Sequence, residues 1–303
     1  MTHPFSVTCI TPNKEDGMKA QDATSGKDSK VWLFFALTFV LTWIFWIPIA
    51  LTRQDVMAGP LMIPFLVGGF GPSIAGIIMV YRTQAREGRR EFWRRSISFK
   101  RIGARWYAVI FLIFPAVYGL GILLDILLGG SPPGAEAISQ IAAQPASLLV
   151  MVVMGLVVGP LAEELGWRGF ALDQLQSKWS ALVSSLVLGI FWWLWHFPLF
   201  FTIGMIQSQW GIGGLTFWMF AASVLAQAVL YTWVYNNTRR SILAVILLHF
   251  MSNSTLNLLL PISARTFLLS TILLVVAAIV VVMTWGPRTL TRQQGSIDAT
   301  QSA

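Results

Sequence analysis

The chain has 303 residues, of which 55% are hydrophobic and only 11% are charged. A soluble domain carries about a quarter charged residues, so this composition, with a mean hydropathy of +0.67, excludes a water-soluble globular protein. The net charge of +8 does not indicate a nucleic-acid partner, because membrane proteins collect Lys and Arg in their cytoplasmic loops. The single cysteine, Cys9, lies in the polar N-terminal segment. It excludes an internal disulfide and a catalytic thiol among the apolar segments.

Eight apolar runs follow one another along the chain. Each is close to the length of about 20 residues that a helix needs to cross the hydrocarbon core of a bilayer. They lie at roughly 31–52, 58–81, 106–129, 146–165, 181–202, 213–235, 241–260 and 266–285. We therefore predict an all-α, polytopic integral membrane protein whose eight-span membrane domain covers 31–285. Residues 1–30 are expected to form a flexible cytoplasmic tail, and residues 286–303 a polar, disordered C-terminal tail.

The basic residues predict the orientation of these spans. In an eight-span arrangement all of the 21 Lys and Arg residues except Arg53 and Arg265 lie on one side of the membrane. That side includes both termini. Because Lys and Arg are enriched on the cytoplasmic side, we expect both termini in the cytoplasm.

Three groups of polar residues occur within the apolar runs. A charged side chain at the bilayer centre costs about 2.5–3.5 kcal/mol on insertion scales, so such residues are rare there and indicate functional sites. The groups are Glu163, Glu164 and Arg168 at the end of the fourth run, Trp192 and His196 in the fifth, and His249 and Asn253 in the seventh.

The spacing within these groups predicts shared helix faces. Residues four positions apart lie on one face of a helix, so Glu164 is expected to pair with Arg168. By the same rule, His249, Asn253 and Asn257 form one polar stripe along the seventh run.

The depth of the fourth and fifth runs decides whether Glu163 and His196 can meet. If the fourth helix ended at Gly166, Glu163 would lie at the cytoplasmic surface and His196 near the opposite one. A helix that runs on to about Gln176 and turns near 178–180 places them at one depth of an antiparallel hairpin. We predict this long hairpin, and with it a polar catalytic cavity formed by spans 4–7.

Each of these features also has a purely structural interpretation. The Glu164–Arg168 pair can close a helix end, and a histidine in a membrane can bond a backbone carbonyl. Gly155 and Gly159, four positions apart, are typical of two helices in close contact. The basic segment 82–105 is expected to set the topology and to contact lipid headgroups. These interpretations do not explain why two Glu, two His, an Arg and an Asn occur together on three spans.

The three groups resemble the signature of the CPBP family, which contains type 2 CAAX prenyl proteases and bacteriocin-processing membrane proteins. The family pattern is EExxxR, then an aromatic residue one turn before a His, then HxxxN. All three motifs occur here in this order between 163 and 253. The second departs slightly, since Phe is usual where Trp192 stands, and we expect this difference to affect packing rather than chemistry. The flanking spans match the family only in hydropathy.

The resemblance implies a glutamate-dependent intramembrane endopeptidase of the bacterial inner (plasma) membrane, with a catalytic core at about 146–260 and no cofactor or metal. It assigns water activation to Glu163 and His196, and oxyanion stabilisation to His249 and Asn253. The supporting residues it implies are Glu164, Arg168 and Trp192. The chemistry is consistent, because peptide hydrolysis needs a base for water and donors for the oxygen of the tetrahedral intermediate.

Two other functions stay open at this point. Glu163, His196 and His249 also provide the three-ligand set of a catalytic zinc site, which would make the enzyme a metalloprotease. In a different class, a non-catalytic scaffold, immunity protein or transporter could use the polar cluster as a proton relay or a helix-binding site. The substrate is equally open: a peptide or a membrane-anchored protein in the bilayer, prenylated or not.

Overall fold

The computed structural model of the protein describes residues 14–134 and 136–292, with side chains over 30–134 and 139–292. Within these ranges every regular element is a helix. Eight helical segments are long and apolar enough to cross a membrane. Spans 1 to 8 are Lys30–Thr52, Met62–Thr83, Ala104–Leu127, Ala146–Gln176, Ala181–Phe201, Leu215–Asn237, Ile242–Leu259 and Ala264–Trp285. The predicted all-α, eight-span membrane architecture is confirmed.

Short helices join the spans, and three of the spans are composite. The connecting helices are Val56–Ala58, Arg86–Ile97, Phe99–Arg101, Glu136–Ala143 and Ile206–Trp210. The composite spans consist of Met62–Gly69 and Gly71–Thr83 in span 2; Ala146–Leu156, Val157–Leu161, Ala162–Gly166, Trp167–Ala171 and Leu172–Gln176 in span 4; and Ala181–Trp195 and Phe197–Phe201 in span 5. Span 4, which carries the glutamate pair, is the most divided of them.

The first helix begins earlier than the hydropathy predicts. It runs without interruption from Lys14 to Thr52, so residues 14–30 extend span 1 instead of forming the expected tail. Extending an existing helix is far easier than nucleating a new one, and span 1 supplies the nucleus. The remainder of the expected tail, residues 1–13, lies outside the described residues.

The segment that follows span 8 is docked onto the bundle, contrary to the disorder predicted for the C-terminal tail. The carbonyls of Arg288 and Pro287 accept hydrogen bonds from the backbone N–H groups of Ala181 (2.8 Å) and Leu182 (3.0 Å). These are N–H groups of the first turn of span 5, which have no partner within their own helix. Residues 293–303, the rest of the expected tail, lie outside the described residues.

The long hairpin of spans 4 and 5 is confirmed. Span 4 continues to Gln176 and span 5 begins at Ala181. Ser180 caps the first turn of span 5, its hydroxyl accepting a hydrogen bond from the N–H of Val183 at 3.3 Å. The two helices are therefore antiparallel neighbours, as required for their polar residues to meet.

Span 4 is interrupted near its middle. Val158 (φ −88°, ψ 111°) and Gly159 (φ 99°, ψ −89°) are non-helical, directly before Pro160. Proline disfavours the helical conformation of the residue that precedes it, and glycine adopts a positive φ without steric cost. The carbonyl of Leu161 accepts a hydrogen bond from the Ser73 hydroxyl at 2.8 Å, which satisfies a backbone group that lipid could not. Gly159 is thus required by a backbone turn in addition to the close helix contact predicted for it.

Span 2 packs tightly against the part of span 4 that carries the glutamates. A Cβ atom built on Gly166 would lie 2.1 Å from the carbonyl oxygen of Pro72, and one built on Gly76 would lie 2.6 Å from Cα of Gly166. The absence of side chains lets the two backbones touch, as small residues do at helix crossings in membranes. Next to this crossing, the fully buried ring of Trp167 packs edge-on against Phe34, with the ring centroids 5.5 Å apart. These contacts fix the position of the neighbouring glutamate pair.

The basic connections meet at one end of the bundle. Arg95, between spans 2 and 3, donates to Asp173 (2.7 Å) and to the carbonyl of Gly169 (3.2 Å) in span 4. Asp173 also accepts from the Tyr235 hydroxyl at 2.7 Å and pairs with Arg240 at 3.4 Å. The end of the bundle that the sequence marks as basic is therefore a connected network of side chains.

Candidate active site

Spans 4 to 7 enclose a polar cavity with a volume of about 330 Å³. Glu163, His196, His249 and Asn253 all line this cavity, so the three motifs meet in space. Spans 1, 2, 3 and 8 also line it, with the aromatic side chains of Trp46, Phe65, Tyr118 and Phe267. A cluster of polar groups thus lies in a largely aromatic enclosure.

The carboxylate of Glu163 is held by Trp192. The indole Nε1 donates a hydrogen bond to Oε2 at 2.6 Å, and only 5% of the residue is exposed. A short bond from a neutral donor to a carboxyl oxygen fixes the orientation of the group and leaves the second oxygen, Oε1, without this contact. A phenylalanine at position 192 could not donate this bond. The departure from the usual motif therefore affects the polar contacts of the site and not only its packing.

Trp192 also orients His196. The ring atom Nδ1 of His196 lies 2.7 Å from the carbonyl oxygen of Trp192. A carbonyl can only accept a hydrogen bond, so Nδ1 carries the proton. In the neutral ring, Nε2 is then an unprotonated acceptor. One residue thus positions both the carboxylate of Glu163 and the free nitrogen of His196.

Glu164 is fully buried and connects two of the motifs. Its oxygens Oε1 and Oε2 lie 3.0 and 3.1 Å from Nη1 of Arg168, which confirms the predicted pair. The same Oε1 lies 2.8 Å from Nδ1 of His249, a contact that the sequence does not predict. Glu164 therefore sets the orientation of the His249 ring and leaves Nε2 as the nitrogen available to the cavity.

The guanidinium of Arg168 lies between two aromatic rings. Its central carbon is 4.7 Å from the ring centroid of Trp192 and 4.8 Å from that of Tyr231. Arg168 has no exposed surface, and its Nε and Nη2 atoms have no hydrogen-bond partner among the described residues. A desolvated cation–π contact contributes about 2 kcal/mol or more, so stacking replaces the hydrogen bonds that burial removes. Tyr231 belongs to no motif, and its role becomes visible only in three dimensions.

The polar stripe on span 7 is confirmed, since His249, Asn253 and Asn257 all line the cavity. A Cβ atom built on Gly159 would lie 3.1 Å from Nδ2 of Asn253 and 4.0 Å from Nε2 of His249. It would also lie 3.7 Å from Oε1 of Glu163. The polar groups therefore converge on the interruption of span 4, where a larger residue would crowd them.

The described residues contain no group of three His, Cys, Asp or Glu side chains placed to hold a metal ion. His196 and His249 both use Nδ1 in contacts with oxygen atoms of the protein, so Nε2 is the ring nitrogen that each can present to the cavity.

Known proteins share this region. A family model described as "Type II CAAX prenyl endopeptidase Rce1-like" matches residues 145–255, the part of the chain that contains all three motifs. The chain is also 35% identical over 258 residues to the CAAX prenyl protease 2 of Methanococcus maripaludis, which covers 82% of this chain and 92% of that protein. Similarity at this level over most of both chains shows common descent. The chain therefore belongs to the CPBP family of integral membrane proteases, among the type II CAAX prenyl endopeptidases.

Proposed function

We propose that this protein is a glutamate-dependent endopeptidase that hydrolyses a peptide bond within its membrane cavity. Glu163 and His196 activate a water molecule, and His249 and Asn253 stabilise the oxyanion. The observation that carries this proposal is the double contact of Trp192, which holds Glu163 through its indole and His196 through its carbonyl. A carboxylate and an unprotonated imidazole nitrogen are thereby fixed in one cavity, which is the arrangement that a water-activating pair requires.

In the attack step, the water-activating pair uses the two atoms that Trp192 leaves available, Oε1 of Glu163 and Nε2 of His196. Water donates one hydrogen bond to Oε1 of Glu163 and the other to Nε2 of His196. As its oxygen attacks the carbonyl carbon of the substrate, its proton passes to Glu163. Asn253 donates its side-chain N–H to the oxygen on which negative charge develops, the role that amide donors fill in oxyanion holes.

His249 contributes to the oxyanion hole through Nε2. Because Nδ1 faces Glu164, Nε2 can donate only when both nitrogens of the ring carry protons. The carboxylate of Glu164 is then the counter-ion of the imidazolium, and Arg168 holds that carboxylate in place. In this proposal the Glu164–Arg168 pair supports the oxyanion hole rather than the water-activating pair.

Collapse of the tetrahedral intermediate completes the reaction. The C–N bond breaks, and Glu163 returns the proton to the leaving nitrogen. The second proton of the water passes from the new carboxyl group to Nε2 of His196, which then gives it to the amine. The products are a carboxylate on one fragment and an ammonium group on the other. The residues of the chain supply every proton transfer, and the proposal assigns no step to a metal.

The name of the Methanococcus relative suggests the substrate class. We propose that the substrates are membrane-anchored proteins that end in a prenylated cysteine followed by three residues, the CAAX arrangement. A cavity with aromatic walls between membrane spans suits a chain that is itself anchored by a lipid. With the basic end of the bundle in the cytoplasm, both termini of the enzyme face the compartment in which such proteins are made.

The test uses purified protein in lipid nanodiscs and a peptide that ends in a farnesylated cysteine followed by three residues. Mass spectrometry of the products should show release of the last three residues by the wild type and not by a well-folded Glu163→Gln variant. A wild type that leaves this peptide intact would remove the proposed substrate class. Full activity in folded Glu163→Gln would remove the mechanism.

A further inference from the structure

Two glutamines outside the sequence motifs line the same cavity as the proposed catalytic residues. Gln227 lies in span 6, and Gln207 lies in the short helix Ile206–Trp210 between spans 5 and 6. Both side chains present hydrogen-bonding atoms that the described part of the chain does not satisfy. Buried polar atoms are nearly always hydrogen-bonded in proteins, and the buried Oε1 of Gln207 is an exception among the described residues. We therefore consider whether a bound substrate supplies the missing partners of the two glutamines.

The amide of Gln227 has a defined orientation. Its Oε1 accepts hydrogen bonds from the hydroxyls of Tyr231 (3.1 Å) and Ser252 (2.8 Å). Two donors occupy the two lone pairs of this oxygen, so the amide nitrogen points away from them. Gln227 is only 9% exposed, and its two N–H donors have no acceptor among the described side chains and backbone. Span 6 therefore offers a pair of oriented donors to the cavity.

Within the described part of the chain, Gln207 has an unpaired hydrogen-bond acceptor, whereas Gln227 has unpaired donors. Oε1 of Gln207 is buried and has no hydrogen-bond partner within the described ranges, while the side chain as a whole is partly exposed and lines the cavity, so Oε1 reaches a ligand when the amide turns toward the cavity. This acceptor lies in a helix that joins two spans, whereas the donors of Gln227 lie within a span. The cavity thus has one unpaired acceptor and one unpaired donor pair in addition to the groups assigned to catalysis.

We infer that Gln227 and Gln207 bind the backbone of the peptide substrate, Gln227 donating to a substrate carbonyl and Gln207 accepting from a substrate N–H. The inference rests on the proposed endopeptidase function and adds the groups that hold the substrate. Every non-proline residue of a peptide carries one backbone donor and one acceptor, and both need partners when the peptide leaves water. Neutral amides satisfy them without selecting a particular side chain. The two glutamines therefore bind peptides as a class rather than one sequence.

The same substitution at the two positions should give opposite results. Gln227→Glu keeps an oxygen for the hydroxyls of Tyr231 and Ser252 but replaces the N–H donors. Gln207→Glu keeps the acceptor. The probe is the farnesylated peptide of the activity assay, and its Kd is measured at pH 8 on the inactive Glu163→Gln background. We expect Gln227→Glu to bind about three- to tenfold more weakly, the range for one lost hydrogen bond.

The leucine variants complete the design. Gln207→Leu and Gln227→Leu each remove the hydrogen-bonding group and should weaken binding by a similar factor, and Gln207→Glu should restore what Gln207→Leu loses. In the active enzyme, the weakened variants should raise KM and leave kcat nearly unchanged, the pattern of a contact made equally in the ground and transition states. A glutamine that only stabilises the fold would lower the melting temperature and leave Kd unchanged.

The outcomes separate this inference from the proposed function. If the wild type cleaves the peptide and Glu163 is required, but Gln227→Glu and both leucine variants bind it normally, the glutamines do not hold the substrate and the inference is wrong. If the wild type does not cleave the peptide, the proposed function fails instead. Gln227→Glu retains the contacts with the two hydroxyls, so it should fold even if Gln227→Leu does not.

Discussion

Among the described side chains, two buried carboxylates pair with arginine, and the two arginines differ in their exposure to solvent. Asp125, at the end of span 3, accepts hydrogen bonds from the hydroxyls of Ser263 (2.7 Å) and Thr266 (2.5 Å) and pairs with Arg265 at the start of span 8. The side chain of Arg265 is 46% exposed, so water solvates its charge. The carboxylate oxygens of Asp125 thus contact residues at the start of span 8. These contacts hold the end of span 3 against the start of span 8.

Glu164 pairs instead with an arginine that has no contact with solvent. The side chains of Glu164 and Arg168 are both 0% exposed. The carboxylate also holds the ring of His249, which lines the cavity. The Asp125–Arg265 pair thus joins the ends of two spans. The Glu164–Arg168 pair lies inside the bundle and orients His249, which lines the cavity. The two pairs should therefore respond differently to mutation.

The largest loss of activity is expected when either residue of the proposed water-activating pair, Glu163 or His196, is replaced. Glu163→Ala and His196→Ala should each lower kcat by about 10⁴-fold, the upper end of general acid–base contributions. The double variant should be hardly worse than either single one, because the two residues act as a unit. Cleavage of the farnesylated peptide measures kcat, and the melting temperature confirms the fold.

Asp125→Asn is the matched control for these variants, since it changes a buried carboxylate that faces no cavity residue. It should retain kcat. A comparable loss of kcat in Asp125→Asn would show that the assay reports damage to the fold, and full activity in folded Glu163→Ala would contradict the mechanism.

The next effect is on stability and compares the two ion pairs directly. Glu164→Ala leaves the guanidinium of Arg168 buried without its carboxylate, which costs about 3–5 kcal/mol of folding free energy. Asp125→Ala leaves Arg265 in contact with water, so its melting temperature should fall less. Thermal unfolding in the same detergent measures both. A Glu164→Ala protein that is as stable as the wild type would contradict the argument that Arg168 depends on this carboxylate.

A smaller loss of rate is expected at the oxyanion hole. Asn253→Ala removes one proposed donor and should lower kcat by about 10²–10³-fold, as for other oxyanion-hole amides. Asn257→Ala is the control, because it removes the same side chain one turn further along span 7. Equal losses in the two variants would show that the polar stripe as a whole is required, and the assignment of Asn253 would lose its support.

Much of the architecture follows from the sequence, because the signals that carry it are large and repeated. Eight apolar runs, with nearly all Lys and Arg residues on one side of the membrane, predict eight spans. The extension of span 4 to Gln176 follows from the requirement that Glu163 and His196 lie at the same depth. The Glu164–Arg168 pair follows from helical spacing.

What the sequence does not reveal are contacts between spans and contacts made by backbone atoms. The hydrogen bond between His249 and Glu164 joins residues that are 85 positions apart. Helical spacing predicts contacts only within one helix, so it cannot predict this bond between two spans. The docking of Pro287 and Arg288 uses carbonyl oxygens, which every residue has. Two further signals are visible in the sequence. Gly159-Pro160 is a pair that marks turns, and Gln227 is a polar residue inside an apolar span, which indicates function.

The arrangement of the two histidines also has a parallel in zinc enzymes. Metal-binding histidines commonly donate their second ring nitrogen to a carboxylate or a backbone carbonyl. His249 faces Glu164 and His196 faces the carbonyl of Trp192 in that manner. The zinc-dependent and the glutamate-dependent mechanisms therefore differ in what the Nε2 atoms bind. In the proposed mechanism, Nε2 of His196 binds water and Nε2 of His249 donates to the oxyanion.

The last prediction is the smallest effect: chelation of metal ions should leave the rate unchanged. If Nε2 of His196 binds water and Nε2 of His249 donates to the oxyanion, then EDTA or phenanthroline removes nothing that the reaction uses. Among the described residues no three His, Cys, Asp or Glu side chains are placed to hold a metal ion, and a catalytic zinc normally has three ligands from the protein. Cleavage of the farnesylated peptide is measured before and after chelator treatment, with metal analysis of the same samples. Activity that disappears with stoichiometric zinc and returns when zinc is added would overturn the mechanism, and Glu164 would then be the carboxylate that orients a metal-binding histidine.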